Sequence, residues 1–205
     1  MQLSDEQSDV KIWAGSEIKT DLLPVSIHGF NPESSTWSPY ETGRRAAVAM
    51  LFVPPADGDD QARIVLTRRS TRVSSHKGQI GFAGGRAESD DAGPAATALR
   101  EVEEEIGLSP DQVKVHGTLP SILALDGSPV VPVVATANVD VSEFTLAQTE
   151  VDSLILEPWK RLHFDHAQCF EFNLLGTWRK SYLFDLPENP VWGLTALIIY
   201  NAKLM

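Results

Sequence analysis

Short apolar runs separated by turn residues follow one another along most of this chain, and they predict a fold rich in strands. The run over residues 45–53 (RAAVAMLFV) suits a buried strand and ends at Pro54 and Pro55. A turn rich in Asp and Gly leads to a second run, residues 62–68 (ARIVLTR). Further strands are predicted over six later segments: 79–82, 112–119, 130–137, 151–156, 169–175 and 182–186.

Two segments depart from this pattern and predict helices. The first has an apolar stripe at helical spacing, formed by Ala95, Leu99, Val102 and Ile106. Pro94 suits its first turn, and Gly107 stands where a C-terminal cap would end it. Residues 191–203 form the second, with Trp192 expected in the core rather than stacked on a base. One helix among many strands and another at the end indicate a mixed α/β sandwich, not a doubly wound parallel sheet.

The chain is expected to form one domain, residues 45–205, preceded by an N-terminal arm over residues 1–44. The arm has no clear period; it is compatible with a homodimer but does not indicate one. Cys169 is the only cysteine, so no internal disulfide forms, and we expect it to be buried as a small apolar residue. Neither a signal-peptide pattern nor an apolar run of about 20 residues is present. We therefore expect a cytoplasmic location.

Charge is distributed unevenly along the chain. There are 17 Lys and Arg against 28 Asp and Glu, a formal net charge of −11, which disfavours nucleic acid and anionic membranes as partners. Residues 61–86 nevertheless contain six basic side chains and no acid, whereas residues 87–105 contain seven acids and one base. Adjacent blocks of opposite sign suit a small phosphate compound held by arginines and by a divalent metal ion. Two solvent-exposed faces of opposite charge would give the same numbers of acidic and basic residues, and they are the alternative interpretation.

Three glutamates form a second face of the first predicted helix. Glu101, Glu104 and Glu105 stand at positions i, i+3 and i+4, so their charges repel one another. They also lie near the helix C-terminus, where the dipole disfavours negative charge. Bound Mg²⁺ or Mn²⁺ would offset this repulsion, because both ions favour carboxylate oxygen. A solvated acidic face is the alternative interpretation.

The segment from Gly85 to Leu108 resembles the Nudix box, G-x5-E-x7-R-E-U-x-E-E-x-G-U, in which U is an aliphatic residue. Residues 100–108 (REVEEEIGL) match every specified position of its second half. In the first half, Asp91 replaces the glutamate, and eight residues instead of seven separate it from Arg100.

Residues 66–85 (LTRRSTRVSSHKGQIGFAGG) resemble a second motif, L-L-T-x-R-S-x-x-L-R-x-H-x-G-x-V-x-F-P-G-G, of the coenzyme A pyrophosphatase branch. That branch shares the aspartate and the longer spacer. Three residues depart from its motif, namely Val73, Ser74 and Ala83, and the serine removes an arginine that could contact phosphate. The likeness extends over roughly residues 45–200.

The resemblance implies a Nudix-type α/β/α sandwich with a mixed sheet and a central catalytic helix. It also implies metal-dependent hydrolysis of the pyrophosphate bond in a nucleoside diphosphate linked to another group. Coenzyme A is the favoured small-molecule substrate, giving 3′,5′-ADP and 4′-phosphopantetheine. Hydrolysis of ADP-ribose, a nucleoside-diphosphate sugar or a (d)NTP is an alternative, and so is a Nudix-like sensor that binds a nucleotide without cleaving it.

The same resemblance suggests a role for individual residues. The metal ligands would be Glu101, Glu104 and Glu105 together with the backbone carbonyl of Gly85, and Arg100 would orient a carboxylate. The candidates for contact with the substrate phosphates are Arg69, Arg72, His76, Lys77 and Arg86. A hydrogen bond that closes the loop is the alternative role for His76. Glu150 is the candidate general base, since this superfamily often recruits a carboxylate outside the box.

Overall fold

The fold is described from a computed structural model of the 205-residue chain. The structure describes residues 37, 44–56, 61–73, 76–174, 176–186 and 189–204. Apart from Trp37 and Arg44, the predicted N-terminal arm therefore lies outside the described residues. No helix within these ranges is long and apolar enough to cross a membrane.

Two sheets and two helices make up the described part of the chain. The strands of the main sheet are β1 Ala46–Val53, β2 Arg63–Arg69, β3 Ile80–Gly81, β4 Gly84–Arg86, β5 Val113–Thr118, β6 Ile122–Leu123, β7 Pro129–Ala137 and β8 Val151–Pro158. The strands of the smaller sheet are β9 Ala167–Leu174, β10 Thr177–Phe184 and β11 Val191–Trp192. The helices are α1 Pro94–Ile106 and α2 Gly193–Leu204.

Strand β1 lies at the centre of the main sheet and diverges from β2 along its length. The two strands pair antiparallel only where residues 52–53 meet residues 63–64. At the other end, β4 pairs with the start of β1, while β3 pairs with the end of β2. Residues 80–86 therefore fill the gap between the diverging strands. On its other edge β1 pairs parallel with β7, which makes the sheet mixed, as predicted.

The apolar run of β1 is continuous because the strand is buried on both faces. One face packs with α1 in a cluster that includes Ala47, Ala49, Leu51, Val102 and Ile106. The opposite face packs with α2 in a cluster that includes Met50, Phe52, Ile198 and Ile199. The sheet thus lies between two helices, and the predicted α/β sandwich is confirmed.

The smaller sheet corrects two expectations about burial. Cys169 is exposed, because it lies on β9, which pairs only with β10 among the described strands. Trp192 is 47% exposed and belongs to β11, not to the terminal helix. Neighbouring residues of a strand point to opposite faces, and Val191 takes the buried position.

The C-terminal end of α1 is closed by Gly107 and by the segment over residues 144–150. Gly107 has φ 76°, and its N–H donates to the Glu103 carbonyl. The Thr145 N–H donates to the Ile106 carbonyl, and the Ala147 N–H donates to the Glu105 carbonyl, both at 3.0 Å. The last turn of the helix is therefore attached to this segment.

Gly107→Ala is expected to lower the free energy of unfolding by about 3 kcal/mol, because a left-handed conformation and a steric overlap both count against it. An added Cβ would lie 2.7 Å from the Thr145 carbonyl oxygen. Gly127→Ala is the matched control: Gly127 has φ 83° but open space around its Cβ position, so only about 1 kcal/mol is expected. Urea denaturation measures both; equal losses would contradict the role of the close contact.

Candidate active site

The three glutamates of α1 lie in different surroundings. The side chain of Glu105 is 3% exposed, that of Glu101 is 13% exposed and that of Glu104 is 56% exposed. Glu105 is buried because it lies on the part of α1 that faces the sheet. There its carboxylate accepts a hydrogen bond from the Gly84 N–H. The helix thus places one glutamate inside the protein, one at its surface and one between them.

Burial of these carboxyl groups changes their acidity. Burial, and then the charge of Glu101, raises the pKa of Glu105 to about 8, although Arg69 and the Gly84 N–H act in the opposite direction. Burial also raises the pKa of Glu101, against the influence of Arg100. The site therefore holds two partly buried carboxyl groups whose negative charges oppose each other.

Glu150 lies close to these two glutamates. Its charge raises the pKa of both Glu101 and Glu105. The backbone holds it there, because the Ser70 N–H donates to the Glu150 carbonyl at 2.7 Å and the Glu150 N–H donates to the Ala147 carbonyl at 2.8 Å. The structure thus brings the predicted general base to the helix.

The paired glycines of β4 allow the strand to approach both β1 and α1 closely. A Cβ at Gly84 would lie 2.5 Å from the Ala47 carbonyl oxygen and 2.7 Å from the Val48 Cα. A Cβ at Gly85 would overlap the Glu101 carboxylate. A side chain at Gly84 would therefore push β4 away from β1, and one at Gly85 would displace the Glu101 carboxylate of α1.

Arg100 contacts two of the three glutamates. Its Nη1 lies 3.0 Å from Glu101 Oε1 and 2.9 Å from Glu104 Oε2. Its Nη2 donates to the Arg86 carbonyl at 2.9 Å, which joins the helix to β4. The guanidinium also bonds both carboxylate oxygens of Asp91, and these bonds raise the pKa of Arg100. Asp91 is a site residue to which the sequence assigned no role, although the Nudix-box alignment pointed to it.

Arg69 is the basic residue that reaches the buried glutamate. Its Nη1 lies 3.7 Å from Glu105 Oε1. Its Nε is buried and, within the described residues, has no hydrogen-bond partner. A buried donor without an acceptor is unfavourable, so this N–H is available to donate a hydrogen bond to an anionic oxygen of a ligand.

The other predicted phosphate contacts are farther out. Arg72, Lys77 and Arg86 are exposed, and no contact joins their side chains to the glutamates in the described part of the chain. The His76 Nδ1 lies 2.9 Å from Gln79 Oε1. His76 itself has a left-handed backbone conformation, with φ 58°. Of the two roles that the sequence allowed for His76, this contact corresponds to the hydrogen bond that closes the loop.

The carboxylates of the site are the oxygen donors available to a divalent metal ion. Among the described residues, no group of three or more acidic, histidine or cysteine side chains is positioned to hold a metal ion in the arrangement that the structure shows. Arg100 draws Glu101 and Glu104 toward itself, while Glu105 faces Arg69. The chemistry nevertheless fits, because carboxylates are hard oxygen donors and a cation would relieve the repulsion that Glu101 and Glu150 exert on Glu105. Glu101 and Glu105, whose pKa values are both raised, are the residues that meet this description.

The family model described as the NUDIX domain matches residues 43–182. Nudix hydrolase 15, mitochondrial, of Arabidopsis thaliana is 34% identical over 206 aligned positions, covering 97% of this chain and 70% of that protein. The uncharacterized Nudix hydrolase NudL of Escherichia coli is 33% identical over 162 positions, covering 78% of this chain and 82% of its own.

Among solved structures, a MutT/nudix family protein from Enterococcus faecalis is similar with a TM-score of 0.49 and 14% identity, covering 81% of this chain and 62% of that one.

The family model and the relatives in Arabidopsis and Escherichia coli show that the chain belongs to the Nudix hydrolase family, and it is a pyrophosphohydrolase. Members of this family generally use divalent metal ions.

The two glycines of β4 are expected to respond differently to alanine. Gly84→Ala is expected to lower the free energy of unfolding by more than about 2 kcal/mol, because its Cβ meets backbone atoms that cannot move aside. Gly85→Ala is expected to cost less than about 1 kcal/mol, since only a side chain must move.

Because that side chain is Glu101, Gly85→Ala is also expected to lower kcat at least about tenfold. Urea denaturation and steady-state kinetics measure the two effects. If Gly85→Ala kept full activity, or proved as unstable as Gly84→Ala, this account of β4 would be wrong.

Proposed function

We propose that this Nudix hydrolase cleaves the pyrophosphate bond of a nucleoside diphosphate linked to another group, using Mg²⁺ or Mn²⁺. Coenzyme A or one of its derivatives is the favoured substrate, with 3′,5′-ADP and 4′-phosphopantetheine as products. The observation that carries the proposal is the buried carboxyl of Glu105, which lies 3.7 Å from the Arg69 guanidinium and close enough to Glu101 and Glu150 that both of their charges raise its pKa. The motif over residues 66–85 supports the choice of coenzyme A.

The glutamates of α1 are proposed to hold the metal. A bound Mg²⁺ or Mn²⁺ supplies positive charge to the phosphate oxygens and lowers the pKa of water. Glu101 and Glu105 offer carboxylate oxygens at the buried end of the site, and Glu104 offers one at the exposed end. The Gly85 carbonyl is the proposed backbone ligand. Arg100 orients Glu101 and Glu104 through its Nη1.

Arg69 is proposed to bind a phosphate group of the substrate. A phosphate oxygen would accept the hydrogen bond that its buried Nε lacks, while Nη1 stays near Glu105. Arg72, His76, Lys77 and Arg86 are proposed to contribute from the rim, where their side chains are exposed. For His76, this role requires that its contact with Gln79 Oε1 be exchanged for one with the ligand.

Glu150 is proposed to act as the general base that removes a proton from the attacking water. It lies outside α1, and the Ser70 N–H holds its backbone at 2.7 Å. Among the described residues, the acidic side chains that pair with Arg100 are Glu88, Asp91, Glu101 and Glu104, and Glu150 is not one of them.

The departures at Ser74 and Ala83 favour a second candidate, hydrolysis of ADP-ribose, a nucleoside-diphosphate sugar or a (d)NTP. A sensor that binds without cleaving has no need of three metal-binding glutamates, which counts against that alternative. The absence of nucleic-acid and anionic-membrane partners is part of the proposal, since the net charge of −11 disfavours them. A cytoplasmic location is proposed separately, because the single cysteine can form no internal disulfide.

The proposal is tested by chromatography of the products formed from coenzyme A, ADP-ribose, nucleotide sugars and dNTPs, each with Mg²⁺ and with Mn²⁺. We expect cleavage of coenzyme A to yield 3′,5′-ADP with the largest kcat/KM. A preference of more than about tenfold for a sugar nucleotide would replace the coenzyme A assignment. Lack of turnover with every compound, while the metal still binds, would support the sensor instead.

Glu105→Gln and Glu104→Gln are each expected to lower kcat at least about 100-fold, because each removes a charged ligand from the proposed metal site. Glu103→Gln is the matched control, since Glu103 is an exposed glutamate of the same helix. It should keep nearly full activity. Steady-state kinetics with circular dichroism distinguishes loss of catalysis from loss of folding. Near-normal rates in both site variants would place the metal elsewhere.

A further inference from the structure

A buried threonine near the start of α1 contacts the network around the glutamates. Thr97 is fully buried, and its hydroxyl donates to Asp91 Oδ2 at 2.8 Å. The Gly93 carbonyl lies farther from the same hydroxyl, at 3.4 Å. A hydroxyl has one proton to donate, so the shorter contact with Asp91 is its main hydrogen bond.

Asp91 is held on all sides by donors. Its Oδ2 accepts from Thr97, from the Glu88 N–H at 2.9 Å and from Arg100 Nη2 at 3.2 Å, and its Oδ1 accepts from Arg100 Nε at 3.3 Å. Burial alone would raise the pKa of Asp91, but these hydrogen bonds lower it. The carboxylate therefore stays charged and has one orientation.

The orientation of Asp91 determines that of Arg100. Two nitrogens of the guanidinium, Nε and Nη2, face Asp91, which leaves Nη1 to bond Glu101 at 3.0 Å and Glu104 at 2.9 Å. A planar guanidinium held by two nitrogens cannot rotate without breaking both bonds. A chain of contacts thus runs from the Thr97 hydroxyl to the proposed metal ligands.

The need for this threonine follows from the departure in the first half of the Nudix box. An aspartate is one methylene shorter than the glutamate it replaces, and the spacer before Arg100 is one residue longer. The shorter side chain must be held in place if it is to meet the guanidinium, and Thr97 bonds it from within the helix.

We propose that Thr97 is a positioning residue whose hydroxyl holds Asp91, so that the Arg100 guanidinium keeps one orientation and fixes the positions of Glu101 and Glu104, the proposed metal ligands. The proposal rests on the proposed function only for the role of the two glutamates. The contacts from Thr97 to Arg100 are independent of the substrate.

The test compares Thr97→Val, which removes the hydroxyl and keeps the shape, with Thr97→Ser, which keeps the hydroxyl. Titration of Mn²⁺ followed by electron paramagnetic resonance is expected to show about tenfold weaker binding for Thr97→Val. Thr97→Ser is expected to bind within about twofold of the wild type. Thr118→Val is the matched control, because Thr118 is a buried threonine on β5. It should leave Mn²⁺ binding unchanged even if the protein becomes less stable.

Asp91→Ala, which removes the acceptor of the Thr97 hydroxyl, provides the second arm. If Thr97 acts through Asp91, adding Thr97→Val to Asp91→Ala weakens Mn²⁺ binding no further. Normal Mn²⁺ binding by Thr97→Val, failure of serine to restore it, or additive effects in the double variant would each overturn the proposal.

A crystal structure of Thr97→Val separates this proposal from the proposed function. An Asp91 side chain displaced from Arg100 supports the positioning role, and an unmoved one overturns it, whether or not the protein hydrolyses coenzyme A. If the wild type binds no Mn²⁺, the proposed function loses its metal site, and this structure still decides the role of Thr97. If Thr97→Val does not fold, Thr97→Ala is measured in the same way.

Discussion

The burial of the Glu105 carboxyl group is the constraint on which the rest of the site depends. A carboxylate enclosed by protein is costly unless a positive charge or several donors accompany it. Here the Gly84 N–H and Arg69 supply part of that compensation, while Glu101 and Glu150 oppose it. The divergence of β1 from β2 admits the glycine strand that brings this N–H to the helix. The divergence of two strands in the main sheet therefore determines which donor reaches the buried carboxyl of Glu105.

The two ends of α1 are stabilised by different means, and both affect the site. At the N-terminal end, Gly93 provides no side-chain cap, and Asp91 instead bonds Thr97 and Arg100 from outside the helix. At the C-terminal end, backbone N–H groups of residues 144–150 satisfy the last carbonyls. Since these groups belong to the segment that carries Glu150, helix capping and placement of the proposed base are achieved by the same loop.

Local patterns predicted much of this protein, whereas features that depend on distant pairing were missed. The limits of α1 followed from Pro94, the apolar stripe and Gly107, all of which act within the helix. Strand β4 was not predicted, because two glycines carry no strand preference until β1 lies beside them. The proximity of Glu150 to Glu105 depends on the register between β8 and β2, in which Val151 stands opposite Arg69. The burial of Trp192 was predicted wrongly, since its face depends on pairing with Leu183.

The two ends of the loop between β2 and β3 are joined to each other by backbone hydrogen bonds. The Arg69 N–H donates to the Gln79 carbonyl, and the Gly78 N–H donates to the Arg69 carbonyl. A loop whose ends are joined in this way can change in sequence between them without shifting the strands to which it is attached. Under the proposed function, in which this loop contacts the substrate, its residues could therefore change ligand preference while the glutamates of α1 keep their places.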